Sequence, residues 1–346
     1  MSKGVWVAIN VNYKCNRNCD FCYMGTIRRK GDITITSGVI NRIIEKYKDH
    51  IEREGFTDFD CFLIVGGEPT LDMEPLKEIV GKLRAKDMPE IKMIALHTNG
   101  ILLNPNFIEW TKEKKTGLFL SANESDFDFL EDRMKMISSI RGRKFCLNTV
   151  LTPKNLQRLE SLIDLAAKYT NFVKFRHEYY RITDSYIKLY DECMPKAIKM
   201  ILDKEYSFAP FLMFEVMNPF WPLDRPFLNL CGRSYVTVDP NGEVRSCPAR
   251  EEVIGSIFDE DFDYVSIFKK KGIQRYTYDG IPKCENCYYR NVCGSGCPLT
   301  KESFYGPNSR GKPSPFCRTF KKVLPVLLKL ASKTKQGKNI FKGRTS

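Results

Sequence analysis

Three cysteines near the start of the chain, Cys15, Cys19 and Cys22, stand at the spacing C-x3-C-x2-C directly after an apolar run, Val5 to Val11. Thiolates are soft ligands that suit iron–sulfur clusters or zinc. Three of them leave one corner of a cubane cluster unligated. An iron with an open position can take up a substrate or cofactor, which a closed four-cysteine structural site cannot. A zinc knuckle borrowing its fourth ligand from elsewhere fits the same residues. A second constellation lies far downstream. Cys231 is followed by ten residues, Gly242, four residues and Cys247; then come Cys284-x2-Cys287-x5-Cys293-x3-Cys297, and finally Cys317. On spacing alone these are iron–sulfur ligands or one or two structural zinc sites. Of the other three cysteines, Cys61 and Cys146 sit in strand-like apolar runs and read as small core residues. Cys193 lies in a helical stretch and is a further candidate ligand.

A glycine turn is the next feature with chemical content: Val65-Gly66-Gly67-Glu68-Pro69-Thr70. Paired glycines let backbone approach a ligand closely, and Pro69 fixes the following turn. The exposed backbone groups and Glu68 could engage an ammonium group. Alone, such a turn is often only structural. Arg176, His177 and Glu178 close a strand-like run as either a proton-transfer group or a salt-bridged rim. With three histidines in the chain, no histidine base is assigned, and no catalytic acid or base is identified.

These residues need a scaffold, and the first two-thirds of the chain supplies an alternating one. Strand-like runs occur at Val5–Asn12, Phe59–Val65, Ile91–His97, Gly117–Ala122, Phe145–Leu151 and Phe172–Tyr179. Amphipathic segments lie between them. Thr36 caps one, with Val39, Ile40, Ile43, Ile44 and Tyr47 on one face. Thr152-Pro153 opens another, with Leu156, Leu159, Leu162, Ile163 and Ala166 at helical spacing. Strands alternating with helices predict an α/β fold of parallel βα units. Six units are too few for a closed eight-stranded barrel and enough for a partial (β/α)6 barrel. In parallel α/β folds the active site lies at the C-terminal strand ends, where the first cysteine loop falls.

The pattern breaks near residue 205. Four prolines interrupt an aromatic stretch, Phe208 to Phe227, which reads as an irregular connection or substrate wall. Tyr235–Val238 and Glu243–Ser246 form a predicted hairpin around Asn241-Gly242. A helix is expected from Phe316, kinked or begun at Pro325, and the last dozen residues read as disordered. The expected order is a barrel at 1–205, a connection at 206–230, a cysteine-rich domain at 231–320 and a basic helix and tail at 321–346.

Composition narrows the function classes. Hydrophobic content is 42%, charged content 28%, and no stretch of 18 apolar residues exists, so no membrane span is expected. Thirteen cysteines without a secretory signal favour metal or redox use over disulfides and point to a cytoplasmic protein. The formal charge of +13 attracts acidic partners, with a lysine-rich solvated surface as the plain alternative.

The first loop, with the aromatic Tyr23 directly after its third cysteine, resembles the signature of radical S-adenosylmethionine (SAM) enzymes. The Gly66-Gly67-Glu68-Pro69 turn resembles that family's glycine motif, which holds the SAM amino group, and His97-Thr98-Asn99-Gly100 resembles its Thr-Asn-Gly turn. Ser121 and Asn148 fall where members place polar contacts to the SAM ribose and carboxylate. The seven downstream cysteines resemble the SPASM domain, an extension carrying two auxiliary iron–sulfur clusters. That resemblance assigns Cys284, Cys287, Cys293 and Cys317 to an outer cluster, and Cys231, Cys247 and Cys297 to an inner one. It implies a SAM-binding 4Fe-4S cluster, two auxiliary iron–sulfur clusters of which the inner one's nuclearity and fourth ligand stay open, SAM and an external one-electron reductant. Its reaction cleaves SAM to a 5′-deoxyadenosyl radical that removes a hydrogen atom from substrate, the auxiliary clusters accepting an electron afterwards.

Two departures stand out. Some members place a fourth inner-cluster cysteine six residues before the first of the seven, where this chain has Arg225. Anaerobic sulfatase-maturating enzymes place an aspartate, their general base, directly after the second cysteine; here it is Pro248, which argues against sulfatase maturation. The leading expectation is oxidative crosslinking or dehydrogenation of a ribosomally made peptide or protein. With strand one at the very start, recognition is expected from the barrel mouth, the 205–230 stretch, the basic tail or a separate peptide-recognition protein. The competing expectations are a radical dehydrogenase of an alcohol or sugar and, more remotely, a zinc-containing nucleic-acid-binding protein.

Overall fold

The structure is a computed structural model describing residues 4–24, 31–57, 60–122, 127–204, 212–214, 235–271, 280–293 and 295–332. Cys231, Arg225, most of the 205–230 connection and the tail beyond 332 lie outside the described residues. Ten strands are numbered in chain order: β1 Trp6–Asn10, β2 Cys61–Val65, β3 Met93–Thr98, β4 Gly117–Ser121, β5 Cys146–Leu151, β6 Phe172–His177, β7 Leu212–Phe214, β8 Tyr235–Val238, β9 Glu243–Arg245 and β10 Val253–Ser256. The fold is α/β with a mostly parallel sheet, and the chain packs as two compact units, 1–121 with 230–275 and 122–229 with 276–346.

In the first unit β1 pairs in parallel with β2, β2 with β3, and β3 with β4. Parallel pairing puts the C-terminal ends of these strands along one edge. The predicted hairpin forms as β8 and β9, and β10 continues it antiparallel. The hairpin also does something the sequence did not announce. β8 pairs in parallel with the free edge of β1, Trp6 opposite Tyr235 and Ile9 opposite Val238. The cysteine-rich segment therefore begins by extending the first sheet. Ala8, Leu63, Val65 and Ala95 form a buried core patch with Trp6, Phe119 and Tyr235 packed against it.

The helix Ser37–Glu54 starts where Thr36 caps it, its side chain accepting from the Val39 amide. Val39, Ile40, Ile43, Ile44 and Tyr47 are buried, one stripe at helical spacing. The Tyr47 hydroxyl donates to Asp60 at 2.7 Å, and the other Asp60 oxygen accepts from the Val5 amide at 3.0 Å. Helix and first strand are thereby tied at one buried carboxylate.

In the second unit β5, β6 and β7 run parallel. Thr152 caps the helix Pro153–Gln157 as expected, but the helical stretch breaks at Arg158 and resumes as Leu159–Tyr169. His177 is buried and stacked on Phe316, with ring centroids 4.4 Å apart, and Glu178 pairs with Arg181 at 3.8 Å. The C-terminal helix runs Cys317–Ser332 with Pro325 inside it. Asp191, on the helix Asp184–Asp203, anchors it by accepting from Thr319 and Lys322, both at 2.8 Å.

Candidate metal and cofactor site

The first cysteine loop leaves β1 and is pinned at both ends. The Tyr13 amide donates to Ile33 O at 3.1 Å, and the Ile35 amide donates to Val11 O at 2.8 Å. Inside the loop the Cys22 amide donates to Cys19 O at 3.1 Å, a tight turn between two of the three thiols. Cys15, Cys19 and Cys22 are partly exposed and free of disulfides. Tyr23 packs with Tyr13 and Met24 beneath the loop.

The glycine turn leaves β2 and lies along the same loop. The Gly67 amide donates to Asn12 O at 2.9 Å and the Glu68 amide to Lys14 O at 2.7 Å. Gly66 has φ +148°, and a β-carbon there would stand 2.7 Å from Asn12 O. Two glycines are thus required for the turn to approach the segment that delivers Cys15. Asn12 closes the contact, its side-chain amide donating to Glu68 O at 3.0 Å and to Asp72 Oδ2 at 2.6 Å. Pro69 starts a short 3-10 turn over Pro69–Leu71.

Glu68 is 1% exposed, and its carboxylate accepts from protein donors on both oxygens. Its Oε1 accepts from the Thr70 hydroxyl at 2.6 Å, the Thr70 amide at 3.2 Å and the Thr98 hydroxyl at 2.7 Å. Its Oε2 accepts from the Asn99 amide at 2.7 Å. Three donors on Oε1 and one on Oε2 hold the turn after β3 against the turn after β2. Asn99 carries the connection on: its side-chain amide donates to Asn16 Oδ1 at 2.7 Å, inside the cysteine loop. Asn16, Glu68 and Asn99 therefore join all three motifs through side chains. Asn16 was not singled out from sequence, because an asparagine between cysteines reads as ordinary loop composition.

The root of the loop rests on a buried ion pair. Asp239 and Arg245, each 1% exposed, pair with one another. Asp239 also accepts from the Asn10 side chain at 2.7 Å. Burial, and then the Asp239 carboxylate, push the Tyr13 phenol pKa up. Arg245 donates to Arg250 O at 3.1 Å, and the Arg250 amide donates to Cys247 O at 3.1 Å. The Cys247 turn and the first cysteine loop are fastened to one pair of charges. Pro248, directly after Cys247, is buried.

Ser121 is the last residue of β4 and is part-buried. In the second unit Asn148 is 3% exposed on β5, and its Oδ1 has no hydrogen-bond partner among the described residues. A buried oxygen in that condition fits a ligand contact. Cys284, Cys287, Cys293 and Cys317 come from short helices and turns over 282–293 and from the start of the C-terminal helix. Gly296, φ +84°, is pressed so close to Ser314 that a β-carbon would meet its Cβ at 2.7 Å, bringing the 293–297 turn against the segment before Cys317. The four thiols lie within electrostatic reach of one another. Burial, then the Cys317 and Cys284 thiols, push Cys293 up to about 12; burial, then Cys317 and Cys287, raise Cys284. Cys61 and Cys146 are buried in β2 and β5, and Cys193 lies part-buried on the helix Asp184–Asp203.

Among the described residues no three histidine, cysteine, aspartate or glutamate side chains are already drawn to the distances of a bound ion. The donor chemistry fits iron–sulfur ligation: soft thiols, with no disulfide among the described cysteines.

Residues 9–166, which carry the first cysteine loop, the glycine turn and Asn148, match the model of the Radical SAM superfamily. Over 349 residues the chain is 21% identical to a cysteine-type anaerobic sulfatase-maturating enzyme of Clostridium novyi, covering 89% of this chain and 90% of that protein. The solved structure of anSMEcpe with bound AdoMet superposes with a TM-score of 0.75 at 16% identity, covering 99% of each chain. Streptococcus suis SuiB bound to its precursor peptide SuiA gives 0.62 at 15% identity, covering 90% of this chain and 74% of that one. No helix among the described residues is long and apolar enough to cross a membrane.

Proposed function

We propose that this protein is a radical SAM maturase that oxidatively modifies a peptide or protein, forming a crosslink or a double bond. The observation that carries the reading is the gathering of Cys284, Cys287, Cys293 and Cys317 in a chain whose first 166 residues hold the radical SAM domain. A second redox group in the same chain suits a net oxidation. Two relatives of the fold were solved with peptides: anSMEcpe with the Kp18Cys peptide and SuiB with SuiA.

In this reading Cys15, Cys19 and Cys22 hold a 4Fe-4S cluster, and Gly66, Gly67, Pro69, Tyr23, Ser121 and Asn148 border SAM. Glu68 orders the turns that do so. When bound, the cluster and SAM supply the radical that removes a hydrogen atom from substrate, an external reductant providing the electron. The chain's own task is to hold these groups rigidly and keep water away. Cys231, Cys247 and Cys297 would hold an inner auxiliary cluster, and the other four cysteines an outer one. Pro248 has no proton-accepting group, so a base at that position is not available. That favours a peptide substrate other than a sulfatase, delivered with or without a separate recognition protein.

The test is iron and sulfide per chain after anaerobic reconstitution, in wild type and in a Cys15/Cys19/Cys22→Ala variant. Roughly 10–12 irons in wild type and about four fewer in the variant, with SAM cleavage abolished, support the reading. About four irons in wild type, with zinc filling the remaining cysteines, would overturn the auxiliary-cluster half of it.

A further inference from the structure

Five side chains meet where the hairpin joins the first strand, and each holds a polar atom that has no hydrogen-bond partner among the described residues. These atoms are Asn10 Oδ1, Tyr13 OH, Thr237 Oγ1, Asp239 Oδ2 and Arg245 Nε. None of the five residues reaches the surface: Asn10 and Thr237 are 0% exposed, Asp239 and Arg245 1%, and Tyr13 2%. Register gathers four of them on one face. Thr237 stands opposite Ala8 on β1 and opposite Arg245 on β9. Asn10 lies two residues beyond Ala8 and Asp239 two beyond Thr237, so all four side chains leave the same side of the sheet. Contacts draw three of them closer still. Asp239 Oδ1 accepts from the Asn10 side-chain amide at 2.7 Å and pairs with the Arg245 guanidinium. The unpartnered atoms of these three residues belong to the same planar groups, so they flank that one oxygen. Tyr13 follows three residues after Asn10. Burial and then Asp239 raise its phenol pKa, while Arg245 opposes them.

Folded interiors seldom orphan polar atoms, and several together ask for a ligand. The mixture of atoms says which. Asn10 Oδ1 and Asp239 Oδ2 can only accept, Arg245 Nε can only donate, and the two hydroxyls can do either. A metal ion would serve the oxygens, yet it would stand against the guanidinium and leave its N–H without an acceptor. An anion would serve that N–H and face the carboxylate. A water molecule has two donors and two acceptor positions, so it serves both kinds at once. Buried waters make about three hydrogen bonds to groups of this sort.

We infer that the corner between β1, β8 and β9 is a built hydration site, in which at least one fixed water bonds to Asn10, Asp239 and Arg245, with Thr237 and Tyr13 completing its shell. Its place gives it a use. Tyr13 and Met24 pack against Cys22 and Tyr23 of the first cysteine loop. Arg245 leads through the Arg250 carbonyl to the turn that presents Cys247. The water is thus a shared part of the supports beneath two cysteine segments. It positions them and takes no part in bond making, and it does not depend on which metal either segment holds.

Two measurements on the full chain test this, and neither needs activity. The first is denaturant unfolding of wild type and Thr237→Val, a replacement of nearly equal shape that lacks the hydroxyl. With water in the corner, valine strips the water of a partner, and the unfolding equilibrium constant is expected to rise about tenfold. In a dry corner valine removes an orphaned hydroxyl, and the same constant falls. A fall or no change therefore overturns the inference. Repeating the wild-type curve in potassium, sodium and choline chloride at equal ionic strength is expected to give one midpoint. A midpoint raised by potassium or sodium over choline would put a metal ion in the corner and overturn it as well. The second measurement is a crystal structure of the reconstituted protein. Water density within about 3.2 Å of Asn10 Oδ1, Asp239 Oδ2 and Arg245 Nε is the expected result. Density for an ion, or none, overturns the inference even if Thr237→Val fails to fold.

Discussion

Gly67 and Lys14 approach so closely that a β-carbon built on Gly67 would lie 1.9 Å from the Lys14 carbonyl oxygen and 2.5 Å from its carbonyl carbon. Both atoms are backbone, so neither can swing away. The glycine turn and the stem of the first cysteine loop are therefore shaped to one another. Gly67→Ala is expected to lower stability by about 1–3 kcal/mol or more, as overpacking does, and to weaken iron retention at Cys15, Cys19 and Cys22. Gly81, inside the helix Met73–Leu83, has open space around the same position. Gly81→Ala is expected to raise stability by about 0.5–1 kcal/mol. Denaturant unfolding of the two variants side by side checks both signs.

Replacing Glu68 by Gln removes one of two acceptor oxygens while the Thr70, Thr98 and Asn99 donors remain in place. A buried donor left unsatisfied costs about 1–3 kcal/mol. If the turn after β3 helps order the SAM site, the affinity for SAM should fall about tenfold, equivalent to 1.4 kcal/mol. Calorimetric SAM binding to the reconstituted protein measures it; full affinity in Glu68→Gln would mean that the turns hold their places without the carboxylate.

The Asp239–Arg245 pair makes a sharper contrast between single and double replacement. Asp239→Asn leaves a buried guanidinium without its counter-charge, and breaking such a pair from one side costs about 3–5 kcal/mol. Replacing both partners by apolar residues of similar size should recover most of the loss. Chemical denaturation of the two single variants and the double variant gives the coupling. Additive losses in the double variant would show that the two charges act independently.

Acid should weaken the first unit through Asp263. Burial would raise its pKa, but hydrogen bonding with His50 and from the Ser266 and Val265 amides outweighs that and holds it below the usual carboxylate range. Arg53 also pairs with it, and His50 Nδ1 lies 3.5 Å away. A carboxylate depressed in the folded state adds stability that is complete above its unfolded value, about 3.9, and that disappears as the pH falls below it. Asp263→Asn should be less stable than wild type at neutral pH, with the gap narrowing toward pH 3. A gap that stays constant would remove the carboxylate from the acid response.

Local patterns in the sequence carried much of this fold. All six early strand-like runs contain a strand, because apolar β-rich segments bounded by helical stripes admit few other readings. Thr36 and Thr152 cap helices where their chemistry requires. What stayed hidden depends on partners distant in sequence. Glu68 reads alike as a ligand or as a holder of turns until Thr98 and Asn99 are seen against it, thirty residues on. Arg245 carries no local sequence signal of burial, which follows from packing alone. β7 and β10 are three and four residues long, too short to show a period.

The pairing of β8 with β1 carries a consequence in time. Asn10 and Asp239, joined at the end of that pairing, are 229 residues apart. A ribosome adding about 5–20 residues each second needs roughly ten to fifty seconds to cover that interval. Throughout it the first strand has one open edge, the kind of surface that recruits foreign strands, and Cys15, Cys19 and Cys22 hang from its end. Supplying metal to that loop after the hairpin has arrived, rather than during synthesis, would let the nascent chain close its sheet before its most reactive residues are committed.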